Sequence, residues 1–276
     1  MSETYLTWVY AVARDLDPAI LVSVDGIGGG PVRPVADAVL TAVTGPVAAA
    51  AFGGEALQRR LSEPGELEAI ARAHHGVIAA VAAACPVLPL RLGTVYHDDD
   101  RVRELLARRR DEFAATLGQL ADRVECGVKV WARPAALAGA AASEPPGPPA
   151  GPGGRDRPGA GAAYLSRRRA QLAARDDWQL RAAEQGAAIH GELSELAAAA
   201  RRHPLQDQPP AATAGQEAAG QMVLNGAYLV PSAGAAQFAA AARAVVADLA
   251  GFRLEVTGPW PPYSFADGTG TADDQP

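Results

Sequence analysis

Residue types that do chemistry are few in this chain and badly spaced for it. Five histidines are present, His74, His75, His97, His190 and His203, with two cysteines, Cys85 and Cys126. A zinc centre needs nitrogen or sulfur ligands at close, regular spacing, and a zinc protease needs an H-E-x-x-H pair on one helical face. Neither pattern occurs. No G-x-S-x-G elbow offers an activated serine, and neither cysteine has a histidine nearby in sequence to activate its thiol. A triad gathered from distant residues stays open at this level. Gly26-Ile27-Gly28-Gly29-Gly30-Pro31 invites reading as a phosphate cradle. The position of a third fingerprint glycine is Pro31, however, and Pro31 and Pro34 predict extended chain where a helix N-terminus would hold the phosphate. A plain turn is expected. Asp98-Asp99-Asp100 offers carboxylates to a divalent cation, but the same run suits the start of a helix, whose dipole favours negative charge there.

Composition narrows the classes further. The chain has 276 residues and a net charge of −6, from 25 basic and 31 acidic residues. No basic block is present, which argues against nucleic-acid binding through phosphate neutralisation. The apolar share of 49% includes 63 alanines, and aromatics reach only 5%. Arginine outnumbers lysine 24 to 1, a bias expected of a GC-rich genome. No apolar run approaches the roughly 18 residues of a membrane span. Met1 to Val9 lacks the basic and apolar regions of a secretory signal. Two cysteines 41 positions apart in apolar surroundings are expected to be reduced, buried thiols in a cytosolic protein, with a disulfide between them as the alternative.

The elements that would position any site follow from hydrophobic periodicity. Thr4 to Ala13 is apolar on both faces and predicts a central strand. Ile20 to Val24 reads as a short strand before the glycine turn. Asp37 to Thr44 and Val47 to Phe52 read as two strands broken at Gly45-Pro46. Leu67, Ile70, Ala71, His74, Val77, Ile78 and Val81 recur at helical spacing, predicting a helix from Glu66 to Ala84. His74 lies on its apolar face and is expected to be a hydrogen-bonded core residue. His75 flanks that stripe and is expected to bond a neighbouring strand or loop. Val87 to Tyr96 predicts a strand and Asp99 to Ala121 a long charged helix. Val124 to Ala132 alternates as a half-buried strand.

Pro134 to Gly161 stands apart, since 22 of its 28 residues are Ala, Gly or Pro. Such a stretch buries too little apolar surface to offset its ordering entropy and is expected to be a disordered insertion or linker. Pro204 to Gly220 is a second soft region. Between them Ala163 to Arg202 predicts a long helix, with Ile189, Leu193, Leu196 and Ala200 forming a short coiled-coil-like seam. Met222 to Val230 and Phe252 to Thr257 predict strands, and Ala235 to Leu249 a helix. The class is α/β or α+β.

Three ordered stretches carry more information than any of these. Val87-Leu88-Pro89-Leu90-Arg91-Leu92-Gly93-Thr94-Val95-Tyr96 follows an Ala-His-His helix. Val223-Leu224-Asn225-Gly226-Ala227-Tyr228-Leu229-Val230 forms a late strand, and Thr257-Gly258-Pro259-Trp260-Pro261-Pro262-Tyr263-Ser264-Phe265 closes the fold. Together with Tyr10-Ala11-Val12 and Glu125-Cys126-Gly127-Val128-Lys129-Val130-Trp131, this set resembles the gas vesicle protein F/L family, in an actinobacterial form. Leu92, Gly226 and Gly76 depart from residues common in that family without removing a chemical group that the family is thought to need.

The resemblance implies an α+β molecule. Residues 1–122 would form a modified ferredoxin-like N-terminal domain. Residues 123–265 would form a C-terminal domain with long coiled-coil-like helices and a second small ferredoxin-like sheet, interrupted by the disordered segment 134–161 and followed by a free tail at 266–276. It implies an accessory or minor structural protein of gas vesicles, needed for their assembly. Such a protein would bind the small hydrophobic shell protein and other accessory proteins, in the vesicle or in the cytoplasm during assembly. It implies no enzymatic activity, no catalytic residue, no cofactor, no metal, no nucleic acid and no membrane; self-association is allowed. The interaction residues expected from it are Pro89, Arg91, Gly93 and Thr94, then Asn225 and Tyr228, then Thr257, Gly258, Pro259, Trp260, Pro261, Pro262, Tyr263, Ser264 and Phe265. Pro261 and Pro262 predict an extended, polyproline-like backbone. Trp260 to Phe265 then has two readings, a strap packing Trp260 and Phe265 on its own sheet, or a surface for a partner. Two other classes stand beside the resemblance: a ferredoxin-like module binding a small ligand, and a cytosolic enzyme with a site gathered from His75, Arg91 and Asp98.

Overall fold

Thr7 to Ala13 are all buried, and that run makes the first strand, β1 (Tyr5–Arg14), the centre of a sheet. The computed structural model describes residues 4–133, 160–206 and 220–266. The expected linker lies outside the described residues except for Ala160 and Gly161, as do most of the second soft region and the tail from Asp267. The chain divides into two compact units. One comprises Met1–Glu125, Leu229–Ala233 and Gly258–Pro276, the other Cys126–Tyr228 and Gly234–Thr257. Helices and antiparallel sheets make the class α+β.

In the first unit β2 (Arg33–Asp37), β3 (Leu40–Ala48), β1 and β4 (Val87–Pro89) lie in that order, and β5 (Val95–Tyr96) also pairs with β1. Every pairing is antiparallel. β3 runs through Gly45-Pro46, where the sequence predicts a break. Its last pair with β2 is Thr44 with Arg33, so Pro46 falls where β3 keeps β1 alone as neighbour. A missing N–H is tolerated at such an edge. Ala49 to Phe52, expected to continue as strand, instead form helix α1 (Ala49–Phe52), and α2 (Gly54–Ser62) follows it. The strand expected at Ile20 to Val24 is a 3-10 helix, Pro18–Ser23, capped by the Asp17 carboxylate accepting from Ala19 N at 2.9 Å.

Helix α3 (Pro64–Ala82) starts at a proline, which suits a first helical turn, and buries Ile70, His74, Val77, Ile78 and Val81. The four apolar side chains share a core with Trp8, Tyr10 and Phe52, and the His74 ring packs on Trp8 and Tyr10. Each large apolar side chain fully buried there contributes about 1.5–3 kcal/mol. The expected long helix is two, α4 (Asp99–Arg108) and α5 (Arg110–Leu120). Arg109 leaves helical geometry at φ −109° and ψ 22°. The bend lets α4 pack on β2 and β3 while α5 packs on β1 and β4.

A second sheet has the order β7 (Ala199–Arg202), β8 (Gln221–Pro231), β6 (Arg123–Ala132), β9 (Phe252–Trp260), and most of its residues belong to the second unit. Cys126, Val128, Val130 and Ala132 of β6 are buried in the alternation the sequence predicts. Helix α6 (Ala160–Glu195) buries Ala182, Ile189 and Leu193, and α7 (Ala235–Ala247) buries Phe238, Ala242 and Val246. The expected seam stops at Leu193. Leu196 is 52% exposed, and Ala200 lies in β7. A place beside β8 overrides the helix propensity of Ala-Ala-Arg-Arg, with the ladder carried on by His203 N donating to Asn225 O at 2.8 Å.

Candidate functional site

Three stretches that are far apart in sequence line one cleft of the first unit, about 360 Å³ in volume. Ala71, His74 and His75 come from α3, Pro89 from the end of β4 and Leu90 to Leu92 from the chain after it, and Tyr263 and Ala266 from the closing segment. The strand expected from Val87 to Tyr96 breaks in the middle, and that break forms a wall. Leu90 N still donates to Tyr10 O at 2.9 Å, after which Thr94 N and Thr94 Oγ1 both turn back onto Arg91 O, at 3.2 and 2.7 Å. Gly93 takes φ +89°, a conformation that favours glycine. Arg91 is left exposed on the turn.

His74 is the hydrogen-bonded core residue expected. Trp8 Nε1 donates to its Nδ1 at 3.1 Å, and its Nε2 donates to Leu90 O at 3.2 Å. Both ring nitrogens are used by a neutral imidazole. Burial pushes its pKa from 6.5 down to about 4, against the opposing Leu90 carbonyl, and the neighbouring His75 adds to the lowering. His75 Nδ1 lies 2.8 Å from the Tyr263 hydroxyl, and the His75 ring meets Trp260 edge-on at 5.5 Å. Burial, then the nearby negative charge of Glu125, raises the pKa of Tyr263, so its phenol stays protonated.

The closing segment is not an extended polyproline stretch. β9 runs to Trp260, and Tyr263–Phe265 form one 3-10 turn, with Tyr263 N donating to Pro261 O at 2.8 Å and Phe265 N to Pro262 O at 3.1 Å. Carbonyls that a polyproline helix leaves to water are here satisfied internally. Ser264 N and Oγ donate to the two Glu125 carboxylate oxygens, each at 2.7 Å. Pro261, Pro262, Phe265 and Ala266 are buried, whereas Trp260 is 43% and Tyr263 36% exposed. Gly258 takes φ +101°, and a Cβ there would lie 2.6 Å from Glu125 O; the bond to Pro259, which is exposed, is cis.

Other residues singled out in the sequence have their own surroundings. Gly93 belongs to a second cavity of about 380 Å³, with Phe52, Leu57 and Tyr96. In the second unit Asn225 Nδ2 donates to Pro204 O at 2.9 Å. There too the Tyr228 hydroxyl lies 2.8 Å from His190 Nδ1, its ring is fully buried against Phe238, and burial raises its pKa. Thr257 faces Gly127, where a Cβ would lie 2.5 Å from Thr257 Oγ1. Asp98 caps α4 by accepting from Arg101 N at 2.9 Å, so the cleft brings His75 and Arg91 together without it. Asp99 accepts from Arg33 at 2.7 Å and from Thr7 at 3.0 Å, and these bonds, led by Arg33, lower its pKa. Gly26 N donates to Gly30 O at 2.8 Å, Gly29 N to Gly26 O at 3.0 Å, Gly30 N to Ile27 O at 3.2 Å and Ile27 N to the Tyr10 hydroxyl at 2.9 Å, so these amides are already engaged.

Neither cysteine is in a disulfide; Cys126 is buried and Cys85 only half-buried. Among the described residues no group of three or more His, Cys, Asp or Glu could hold a metal ion, and no helix is long and apolar enough to cross a membrane. The cleft lining has an imidazole pair, a phenol and a guanidinium but no carboxylate, serine or cysteine. Such a set can bind and orient an anionic group.

A family model described as gas vesicle synthesis protein GvpL/GvpF matches residues 6–267. The chain belongs to the GvpL/GvpF family. It is 42% identical over 267 residues to gas vesicle protein L of Streptomyces sp. (strain CB03234), covering 96% of this chain and 94% of that one. Gas vesicle protein F of the same strain is 33% identical over 123 residues, which is 45% of this chain and 47% of that one. The fold is similar to the crystal structure of GvpF from Anabaena sp. PCC7120, with a TM-score of 0.66 at 18% identity over 96% of this chain and 97% of that one. GvpF from Microcystis aeruginosa gives 0.63 at 17% identity, over 95% and 99%. This GvpL/GvpF member is thus a gas vesicle-associated protein. Behind the cleft, Glu125 as anchor of the closing segment was not foreseeable, because no local signal pairs it with Ser264, 139 positions on.

Proposed function

We propose that this GvpL/GvpF protein is an accessory or minor structural component required for gas vesicle assembly. It binds the small hydrophobic shell protein and other accessory proteins, and acts in the cytoplasm during assembly or in the vesicle itself. The observation that carries this reading is the 42% identity to a gas vesicle protein L over 94% of that protein's length. Elementary physics supports it. A shell protein whose wall has an apolar gas-facing surface exposes that surface before assembly, which invites aggregation. A partner that covers it, or seeds the first ring, removes the hazard.

Co-expression with the major shell protein of the same organism tests the reading, with an unrelated hydrophobic protein as control. Selective retention of the shell protein, and loss of vesicles on deletion of this gene, are the expected results. Retention of both proteins alike, with vesicles unchanged in the deletion strain, overturns it.

A further inference from the structure

We propose that the cleft between α3, the Arg91 turn and the closing segment docks an acidic, apolar-flanked peptide segment of a partner protein. Arg91 holds its carboxylate, and Leu92, Tyr263 and Trp260 receive the apolar residues beside it. The proposal rests on the gas vesicle reading for the pool of partners and adds to it the site and the chemistry recognised.

Arg91 is the first reason. Arg33, Arg60, Arg101, Arg103, Arg109 and Arg110 of the same unit each meet a carboxylate within 4.0 Å. Among the described residues no carboxylate pairs with Arg91, which stands exposed on its turn. The lining supplies no competing acid, and both Glu125 oxygens are engaged by Ser264. The fixed planar fork of a guanidinium suits a carboxylate, and adjacent apolar walls strengthen the attraction by excluding water.

The rim is the second reason. Tyr, Trp and Arg are the side chains that most often anchor protein interfaces, and here Tyr263 and Arg91 line the cleft while Trp260 stands edge-on to the lining His75 ring at 5.5 Å. The two aromatics keep 43% and 36% of their surface exposed although their backbone is pinned by buried Pro261, Pro262 and Phe265. Side chains held in place before binding lose little entropy on binding. Size and charge then select the occupant. A cleft of about 360 Å³ with one guanidinium fits a single carboxylate on its stem with an apolar neighbour, and is poorly matched to a polyanion.

The test uses the full-length protein and overlapping labelled peptides covering the gas vesicle proteins of the same organism, read by fluorescence anisotropy beside the co-expression pull-down. A subset of peptides carrying Asp or Glu beside apolar residues is expected to bind. Affinity should fall at least about tenfold when that acid is amidated, and equally in Arg91→Gln. Arg91→Glu should restore binding to the same peptide carrying Lys in place of the acid, and Trp260→Ala should weaken every such peptide. Circular dichroism verifies that the variants are folded. The inference alone is overturned if the wild-type protein retains gas vesicle proteins while no peptide binds, or while Arg91→Glu binds the acidic peptides as tightly as before. Failure of the wild-type protein to retain any gas vesicle protein overturns the assembly reading and this inference together.

Discussion

Ser264 gives both its backbone N–H and its hydroxyl to the carboxylate of Glu125, at 2.7 Å each, across 139 residues of sequence. Hydrogen bonds to a charged acceptor are worth about 1.5–3 kcal/mol net, and less where water competes. Ser264→Ala should therefore cost about 1 kcal/mol and Glu125→Gln, which turns an NH2 toward a donor, about 2 kcal/mol. Urea unfolding midpoints check both values. Trp260 emission should shift to the red in Glu125→Gln as the closing segment loosens; an unshifted spectrum would show that other contacts hold it.

Acid should weaken the fold through His74. Its folded pKa is lowered to about 4 from 6.5, so above pH 6.5 both states hold a neutral ring and the stabilisation is complete. As pH falls from 6.5 toward 4 the unfolded chain takes up a proton that the folded chain refuses, and stability drops. Below about 4 both states are protonated and the loss stops growing. The whole loss is on the order of 3 kcal/mol. His74→Gln should flatten that part of the stability–pH curve, measured as urea midpoints from pH 7 to pH 4.

The closing segment divides energetically between its first and last aromatic residues. Phe265 is 9% exposed, and Phe265→Ala should cost about 3 kcal/mol through lost burial and the cavity left behind. Trp260 is 43% exposed, so Trp260→Ala should move the melting temperature little, by about 1 kcal/mol or less. Equal losses in calorimetry would mean that the indole packs as deeply as the phenyl ring.

Two glycines of α6 should respond oppositely to alanine. A Cβ on Gly186 would lie 2.5 Å from Val223 O, backbone that cannot swing away, so Gly186→Ala should destabilise by about 1–3 kcal/mol. Gly191 faces open space, and Gly191→Ala should stabilise by up to about 1 kcal/mol, the helix-propensity difference. Paired thermal melts settle it, and a stabilised Gly186→Ala would mean that α6 lies farther from β8.

Periodicity made the central elements legible. The two-faced apolar run of β1, the alternation of β6 and the buried face of α3, His74 included, could all be read from residue order. Elements decided by neighbours were not legible. Ala199 to Arg202 has the composition of a helix and is a strand because β8 offers it an edge. Arg109 carries no breaker signal and bends the chain because α4 and α5 pack on different strands. The cleft was half legible. Its three segments stand out one by one, but their convergence depends on topology, and no local pattern announces that Glu125 waits for Ser264. The gas vesicle reading came from resemblance, since the chemistry-bearing residues alone pointed to no reaction.

The discontinuity of the first unit has a consequence for synthesis. Glu125 leaves the ribosome with α3 and the Arg91 turn already made, yet Tyr263 and Ser264 follow only after the whole second unit. Until that closing segment is made, the cleft lacks the wall that Tyr263 and Ala266 supply. Any partner that recognises that cleft recognises, in the same act, that translation has run through to its far wall.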